Sequence, residues 1–374
     1  MGGGAVKASA PCIAVSGLHR GENPQPGAGI IRSLRRHFPD ARIVGLSYDV
    51  MESGIYAEGG PDEVHLMPYP AAGGKALLDR IDTIRKRTPF DFFIPTLDAE
   101  IEVFATLHHE LKRRGIAVCL PGVEVLKRRA KQHLPALAAL CGVRVPETRL
   151  ASHVASASEA AHALGYPLVV KGPYYDARIV HNFAQLAAAA GHLLSEWGHP
   201  VILQNCITGS EFNVLGLGDG QGGWLGHCCI RKTQLSDKGK GLSGITVSDA
   251  RLSSLCARLV RELQWPGPFE IELIREETSG DYFLIEINPR FPAWIDFPSM
   301  LGANFAAALI DILKSGHPPG SVPDCPPGSF YIRHQIEVVG NLNRYADLLK
   351  GEPDTLPELV DEPWNKFSKT KSPA

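Results

Sequence analysis

Acidic and amide side chains alternate with apolar ones through Phe269–Phe291, whose sequence is FEIELIREETSGDYFLIEINPRF. Side chains two residues apart lie on one face of a strand, so this alternation predicts two half-buried strands. The polar connection between them contains a glycine and predicts a hairpin turn. If the strands pair symmetrically about that turn, Glu272 lies opposite Glu286. The same register places Glu270 opposite Asn288.

A patch of three carboxylates and one amide oxygen predicts a cation site, because packed like charges repel each other. Oxygen ligands of this kind suit Mg²⁺. The alternative interpretation is the solvated face of an edge hairpin, where glutamate is common. Pro289 and Arg290 follow the second strand directly and favour the metal site. Arg290 places a guanidinium beside the metal site, where a phosphate or carboxylate can be held bidentately.

Basic residues elsewhere could hold a phosphate. Lys131 lies in a helical pattern and Lys171 ends the apolar run PLVVK, but each alone is more typical of a solvated surface. Arg231 and Lys232 follow an apolar strand and open the segment Ile230–Gly244, IRKTQLSDKGKGLSG. For this segment a solvated loop and a loop that grips substrate or phosphate are equally good interpretations.

The elements that must position these residues begin with an alternation of apolar runs and amphipathic helices over residues 12–120. The predicted strands are Cys12–Ser16, Arg42–Leu46, Phe92–Pro95 and Ile116–Cys119, and Ile101–Arg114 is a predicted helix. Such alternation indicates a parallel sheet covered on both faces. Ligands of these sheets bind at the carboxyl ends of the strands. The loops Gly17–Gly29 and Pro95–Glu100 lie at those ends.

The rest of the chain changes character twice. Residues 146–200 read as a small α/β unit, and antiparallel strands follow from Val201. After Gly316 the sequence is rich in proline and reads as a connector. The fold class is therefore mixed, α/β and α+β. We divide the chain into an N-terminal α/β domain (1–122), a small lid domain (123–200), an antiparallel-sheet domain with the metal site (201–316) and a C-terminal extension (317–374).

Composition excludes several classes of protein. The chain has 374 residues, 44% of them hydrophobic and 21% charged, with a formal net charge of −2. These values argue against disorder along the whole chain and against a nucleic-acid-binding protein. No apolar run approaches the ~18 residues needed to span a bilayer, and we expect no membrane partner. The eight cysteines include no C-x-x-C pair, so we expect reduced core thiols in a cytoplasmic protein.

The motif E-x-N-P-R after a strand, with an acid on the preceding strand, resembles the ATP-grasp superfamily. It is most similar to the group that contains carbamoyl-phosphate synthetase and biotin carboxylase. The resemblance implies the ATP-grasp architecture, with an N-terminal pre-ATP-grasp domain, and implies ATP with Mg²⁺ or Mn²⁺ as cofactors. By this resemblance Glu272, Glu286 and Asn288 are the metal ligands. Arg290 matches the arginine on the phosphate side, and we place Arg231 and Lys232 beside it as candidate catalytic residues.

Nucleotide-binding residues follow from the same resemblance. Lys131 and Lys171 resemble the two ATP lysines of the superfamily. The stretch VILQNCITGSEFNV resembles its hinge, where backbone groups near Gln204 and Cys206 hold adenine. Glu211 matches the acid that binds the ribose hydroxyls.

One departure concerns the loop that covers the triphosphate, which is glycine-rich in the superfamily. Here the segment after the second lysine is KGPYYDARIVHN and contains a single glycine, so few backbone N–H groups can cradle a phosphate. We consider Tyr174, Tyr175 or Arg178 as replacements, or a shorter loop with a more open site.

The function implied by the resemblance is an ATP-dependent carboxylate–amine ligase that works through an acyl phosphate. Its substrates would be a small-molecule acid, such as an amino acid, and an amine, and a homodimer is compatible with the superfamily. Asp98 or Glu100 could bind or deprotonate the amine, although capping of the following helix is the preferred interpretation of Asp98. A bicarbonate-activating enzyme and a non-catalytic nucleotide sensor are the alternatives. A dinucleotide-binding oxidoreductase is rejected, because Gly17–Gly29 lacks G-x-G-x-x-G spacing.

Overall fold

The computed structural model describes residues 10–19, 24–173, 177–236, 239–316, 320–334, 337–351 and 354–355. Within these residues the chain forms three β-sheets with helices packed on them. No helix of this part of the chain is long and apolar enough to cross a membrane.

The described strands are β1 (Cys12–Ser16), β2 (Arg42–Ser47), β3 (Glu63–Leu66), β4 (Phe92–Ile94), β5 (Thr148–Ala151), β6 (Leu168–Lys171), β7 (Ala177–Val180), β8 (Val201–Asn205), β9 (Gly209–Asp219), β10 (Trp224–Leu235), β11 (Gly241–Thr246), β12 (Pro266–Glu276), β13 (Tyr282–Asn288), β14 (Phe330–Ile332) and β15 (Asp354–Thr355). The described α-helices are α1 (Gly27–His37), α2 (Gly74–Arg85), α3 (Asp98–Thr106), α4 (His108–Arg113), α5 (Val123–Arg128), α6 (Leu134–Cys141), α7 (Val154–Leu164), α8 (Phe183–Trp197), α9 (Ala250–Leu263), α10 (Asp296–Met300), α11 (Phe305–Ser315) and α12 (Leu342–Leu349).

The first sheet has the strand order β15-β3-β2-β1-β4. Strands β3, β2, β1 and β4 run parallel, and β15 pairs antiparallel with β3 at one edge. Ile13 and Val15 of β1 pack in one apolar cluster with α1, whereas Ala14 packs in another with α2 and α3. Both faces are therefore buried, as predicted for a parallel sheet. Helix α3 begins with Asp98, just beyond the carboxyl end of β4.

The second sheet has the order β5-β8-β6-β7 and is covered on one face by α7 and α8. Asn182 caps α8, and its Oδ1 accepts a hydrogen bond from the backbone N–H of Gln185 at 3.0 Å. Val170 and Leu203 belong to the covered face. Because strand residues alternate, Lys171 and Gln204 lie on the uncovered face.

The third sheet has the order β13-β12-β9-β10-β11-β14 and is antiparallel throughout. Helices α6 and α9 cover one of its faces, where they pack on Phe269, Ile271 and Leu273 of β12. The opposite face carries the acidic and amide residues of the hairpin. Cys228 and Cys229 of β10 lie in different core clusters, because adjacent strand residues point to opposite faces.

Long-range pairing differs from two of the sequence assignments. Val201–Asn205 is a strand, as predicted, but β8 pairs with β5 and β6 and so belongs to the small second sheet rather than to the 201–316 unit. The extension from residue 317 supplies β14 to the third sheet, and its α12 and β15 pack against β3 of the first. Sequence periodicity describes each strand but does not show which neighbour it pairs with.

Two assignments in the N-terminal part were wrong. Residues Ile116–Cys119 do not form a strand; Ala117 makes only an isolated parallel bridge to Phe92. The helix predicted over Ile101–Arg114 is divided at Leu107 into α3 and α4. Strand β3 was not predicted, because its sequence EVHL contains two polar residues. Glu63 and His65 are nevertheless buried, and they contact each other.

Candidate active site

The hairpin of β12 and β13 has the register expected from the sequence. Glu272 pairs with Glu286, and Glu270 pairs with Asn288. A register shift follows Glu272, so the symmetric pairing ends there on the turn side. The four polar side chains therefore share one face of the third sheet, here called the acidic face.

Glu270 is the most deeply buried carboxylate of the acidic face. It is fully buried, and its carboxylate accepts hydrogen bonds from Asn213 Nδ2 at 2.5 Å, Trp294 Nε1 at 3.0 Å and Asn288 Nδ2 at 3.2 Å. Burial, and then repulsion by the nearby Glu272 charge, raises the pKa of Glu270. Its bonds to three neighbours make Glu270 an anchor for the site rather than a metal ligand.

Glu272 and Glu286 lie nearer the surface, with about a quarter of each side chain exposed. Lys232 Nζ lies 3.0 Å from Glu272 Oε2 and 2.8 Å from Glu211 Oε2. Burial alone would raise the pKa of Glu272, but the Lys232 ammonium lowers it to about 2. Lys131 Nζ lies 3.2 Å from Glu286 Oε1. Each carboxylate of this pair thus has a lysine ammonium beside it.

The donor set of the acidic face suits a hard divalent cation. Glu272 and Glu286 present carboxylate oxygens from facing positions, and Asn288 adds an amide beside Glu272, to which its Nδ2 donates at 2.9 Å. Among the described residues no three His, Cys, Asp or Glu side chains converge on one point. Mg²⁺ usually binds one or two protein carboxylates and completes its shell with water and phosphate oxygens, and the amide oxygen of Asn288 is a further oxygen ligand beside them.

Lys171 is the last residue of β6 in the small sheet. Burial lowers the pKa of Lys171, and the charges of Glu286, Glu272 and Glu211 oppose that effect. Lys131 opens a short 3₁₀ turn, 131–133, rather than lying inside a helix. The structure thus brings Lys131 and Lys171 to the same group of acids from different elements.

The hinge residues join the second and third sheets. Gln204 is buried, and its side-chain Nε2 donates to Thr148 Oγ1 at 3.0 Å within the small sheet. Cys206 is the first residue after β8 and is partly exposed. Glu211 lies on β9, where Lys232 contacts it. Because the Gln204 side chain is engaged within the sheet, a base held here would have to meet backbone groups.

The structure does not bring Arg231 to the acidic face. It is exposed, and strand alternation places it with Cys229 on the side covered by α9, whereas Lys232 points to the acids. Of the other candidates in this segment, Lys238 lies outside the described residues. The charge of Lys240 does reach the site, where it contributes to the lowered pKa of Glu272.

The candidate replacements for the glycine-rich loop fall on β7 and the residues before it. Tyr174 and Tyr175 lie outside the described residues. Arg178 pairs with Val170, whose side chain belongs to the covered face of the small sheet. Lys171 lies on the other face, so Arg178 does not point with it into the cleft.

Arg290 connects the acidic face to the first sheet. Its Nε lies 3.2 Å from Asp98 Oδ2, and its Nη1 lies 3.7 Å from Glu270 Oε2. The cap of α3 is Leu97 rather than Asp98, so the expected capping role of Asp98 is replaced by this ion pair. Burial would raise the pKa of Asp98, but Arg290 and Arg129 hold it below its ordinary value.

Glu100 cannot hold an amine substrate. It is fully buried, and its carboxylate accepts hydrogen bonds from the backbone N–H groups of Thr96 at 2.6 Å and Leu97 at 2.9 Å. The hydroxyls of Ser16 and Tyr48 also donate to it. The sequence placed Glu100 on a loop facing the cleft, but the first turn of α3 points it inward, where it ties three segments together.

Replacing Glu100 with alanine should therefore destabilise the protein without changing its ligand affinity. The loss would leave several buried donors unsatisfied, at about 1–3 kcal/mol each, so we expect the free energy of unfolding to fall by about 2–5 kcal/mol. Urea titration measures this change. If Glu100→Ala unfolds at the wild-type urea concentration, Glu100 is not the structural tie described here.

Sequence reasoning missed several residues of the site. Asn213 lies two positions after Glu211 on β9, so strand alternation could have placed it on the acidic face. Trp294 gave no signal, because its contact with Glu270 depends on the loop after β13. Tyr331 and Arg333 come from the extension, and burial raises the pKa of Tyr331 to about 12. Their charges interact with Glu270, which places the end of β14 near the site.

Comparison with known sequences gives weak matches. No protein-family model matches the chain. A stretch of 170 residues is 26% identical to the arginine-specific carbamoyl phosphate synthase large chain of Lactiplantibacillus plantarum, and 224 residues are 25% identical to that of Cutaneotrichosporon cutaneum. These stretches cover 40% and 54% of this chain but only 15% and 19% of the two relatives. The chain thus spans less than a fifth of the length of these curated relatives.

Solved structures match a larger share of this chain than the curated sequences do. The biotin carboxylase of Campylobacter jejuni, solved as a beta-gamma-ATP complex, has a TM-score of 0.65 at 16% identity, covering 83% of this chain and 72% of its own. The L-amino acid ligase of Bacillus licheniformis has a TM-score of 0.61 at 17% identity, covering 83% and 75%. A third similar structure is the biotin carboxylase domain dimer of Hydrogenobacter thermophilus 2-oxoglutarate carboxylase, solved with MgADP, ADP and bicarbonate. Its TM-score is 0.64 at 18% identity, covering 85% of this chain and 73% of its own. At these identities the likeness establishes the fold.

Proposed function

The chain has the ATP-grasp fold, and we propose that it is an ATP-dependent carboxylate–amine ligase. It would activate a small acid, such as an amino acid, as an acyl phosphate and join it to an amine, releasing ADP and phosphate. The observation that carries this proposal is the acidic face. There Glu272 and Glu286 oppose each other, with lysines on both sides and Arg290 at the end of the same hairpin.

Glu272, Glu286 and Asn288 would hold Mg²⁺. The fit rests on their facing positions and on the low pKa of Glu272, which keeps that carboxylate ionised at neutral pH. Bound Mg²⁺ would neutralise phosphate charge, which is the main requirement of phosphoryl transfer. Mn²⁺ has the same preference for oxygen ligands and is the alternative.

The nucleotide would lie between the small sheet and the acidic face. Lys131 contacts Glu286, the charge of the same acid acts on Lys171, and both lysines would bind phosphate oxygens. Backbone groups near Gln204 and Cys206 would hold the base, and Glu211 the ribose. Lys232 bridges Glu211 and Glu272, so it would fix the ribose acid relative to the metal ligands.

Arg290 would orient the acid and stabilise the transferred phosphate. Its guanidinium lies next to Glu270 and can present two parallel donors to a carboxylate or phosphate. An acyl phosphate hydrolyses easily, so water must be kept from the site while the amine arrives. The small second sheet, with Lys171 on its open face, would close over the nucleotide for this purpose.

A second candidate function is activation of bicarbonate. Two of the similar structures are biotin carboxylases, one of them solved with bicarbonate, and the matched curated relatives are carbamoyl phosphate synthases. A bicarbonate ion would use the same acidic face and Arg290, so the site geometry does not separate it from a small organic acid. A homodimer, with which the resemblance is compatible, also stays a prediction.

The proposed function is tested by incubating the protein with ATP, Mg²⁺ and candidate acids and measuring the release of ADP. The twenty amino acids and their deaminated counterparts should be supplied singly and in pairs, with bicarbonate as a separate acid. Acid-dependent ADP release supports the ligase, and release with bicarbonate alone supports the second candidate. If ATP binds but no acid and no pair stimulates ADP release, the chain is a nucleotide sensor and the proposal is wrong.

Lys171→Ala should weaken ATP binding by about 10- to 100-fold, because a charge-assisted contact to phosphate contributes about 1.5–3 kcal/mol. Isothermal titration calorimetry measures the affinity. Lys127→Ala is a matched control, since Lys127 is exposed and pairs only locally with Glu124. An ATP affinity equal to that of the wild type in Lys171→Ala would show that this lysine is only a strand-end residue.

A further inference from the structure

An ion pair links the first sheet to the end of the acidic face. Asp98 opens α3 and Arg290 follows β13, and their side chains meet at 3.2 Å with less than a fifth of each exposed. Arg290 also reaches Glu270 at 3.7 Å, so the pair lies at the edge of the proposed phosphate site. This is where the reacting end of the acid substrate has to be held.

The polar atoms around this pair are not fully satisfied. Asp98 Oδ1 and Arg129 Nε are buried, and neither has a hydrogen-bond partner among the described residues. The other contacts of Arg129 are long, at 3.5 Å to both Glu102 Oε1 and the backbone oxygen of Ile287. Burying a charged group without partners costs free energy, so such atoms indicate a place where a ligand completes the contacts.

The charges of the cluster are arranged for a zwitterion. Asp98 is the anion of the cluster; Arg290 contacts it at 3.2 Å, and the charges of Arg129 and Lys131 also act on it. An α-amino acid carries one carboxylate and one ammonium, which is the charge pattern of the ion pair between Asp98 and Arg290. An α-amino acid can replace that ion pair with two new ones, carboxylate to Arg290 and ammonium to Asp98, without adding net charge to a buried site.

We propose that Asp98 and Arg290 bind the acid substrate as an α-amino acid. The substrate carboxylate takes the place of Asp98 on Arg290, where it faces the phosphate site. Its ammonium takes the place of Arg290 on Asp98, and the charge of Arg129 still acts on Asp98. This inference rests on the proposed function and names its substrate class. An acid without the amino group would leave Asp98 unpaired by substrate and should be a poor substrate.

Hydroxylamine trapping tests the inference without knowledge of the natural amine. The enzyme is supplied with ATP, Mg²⁺ and hydroxylamine, together with each amino acid or its deaminated counterpart, such as alanine or propionate. The wild type should form hydroxamate from its preferred amino acid about 10- to 100-fold faster than from the counterpart, as expected for one charged hydrogen-bonded contact. Asp98→Asn should lose most of this preference.

Glu102→Gln is the control variant, because Glu102 contacts Arg129 but is 43% exposed and lies outside the ion pair. It should keep the wild-type preference for the amino acid. If Asp98 only positions Arg290, Asp98→Asn will slow hydroxamate formation from the amino acid and from its deaminated counterpart by the same factor. That result overturns the inference. The wild-type preference needs no variant, so it remains a test if Asp98→Asn does not fold.

Two other results would also overturn the inference. One is equal hydroxamate formation from amino acids and deaminated acids, which would leave the proposed ligase intact with a different substrate class. The other is no hydroxamate from any amino acid, while a different acid supports ADP release. Failure of the proposed function is distinct, because then no acid of any kind stimulates ADP release.

Discussion

Glu286→Gln is expected to lower turnover by at least about 100-fold, the scale of losses when a charge-stabilising group is removed from an active site. Glutamine keeps the size of the side chain but removes the charge that faces Glu272 across the hairpin. The carboxylate is also the partner of Lys131. ADP release at saturating ATP and Mg²⁺ measures the loss, and thermal unfolding shows whether the fold survives.

Glu277→Gln is the matched control, because Glu277 is an exposed residue in the turn of the same hairpin. It should retain wild-type turnover. Glu272→Gln should resemble Glu286→Gln, because it removes the other carboxylate of the facing pair. Near-normal turnover in either of these two variants, at saturating Mg²⁺, would remove the metal role from the acidic face.

Arg290→Ala is expected to reduce hydroxamate formation below detection while ATP still binds. The guanidinium is the only described cation that contacts both Asp98 and Glu270, and alanine leaves nothing there to orient the acid or the transferred phosphate. Arg290→Lys should restore little, because an ammonium cannot make the bidentate contact of a guanidinium.

Arg275→Ala provides the comparison, since Arg275 is an exposed arginine on the same hairpin whose Nε reaches only the backbone oxygen of Gly280, at 3.4 Å. Its hydroxamate yield should equal that of the wild type. Calorimetry must show that Arg290→Ala binds ATP normally. A variant that binds ATP and still yields hydroxamate at the wild-type rate would exclude Arg290 from the chemistry.

The hairpin could be predicted from the sequence because its information is local. The alternation of Glu270 and Glu272 with apolar residues fixes the face. The acids pair as expected, although the pairing shifts by one residue between Glu272 and the turn. The same reasoning explains why Lys232 reaches the acids and Arg231 does not, since adjacent strand residues point to opposite faces. Arg231 and Lys232 are neighbours in the sequence, and only the alternation along β10 separates their roles.

Contacts between distant segments could not be predicted in this way. Whether Val201–Asn205 joins the small or the large sheet depends on pairing with strands far along the chain. Glu100 faces inward because of the first turn of α3 and its partners on two other strands or loops. The ion pair between Asp98 and Arg290 joins residues that are 192 positions apart, and no local pattern encodes it.

The path of one oxygen atom tests the central claim most directly. An acid that supports ADP release should be labelled with ¹⁸O in its carboxylate and incubated with the enzyme, ATP, Mg²⁺ and an amine. If the carboxylate attacks the γ-phosphate and the amine then displaces phosphate, each phosphate released carries one labelled oxygen. Mass spectrometry of the phosphate should show this transfer in step with ADP. Unlabelled phosphate, or label recovered in AMP, would contradict the acyl-phosphate route proposed for this chain.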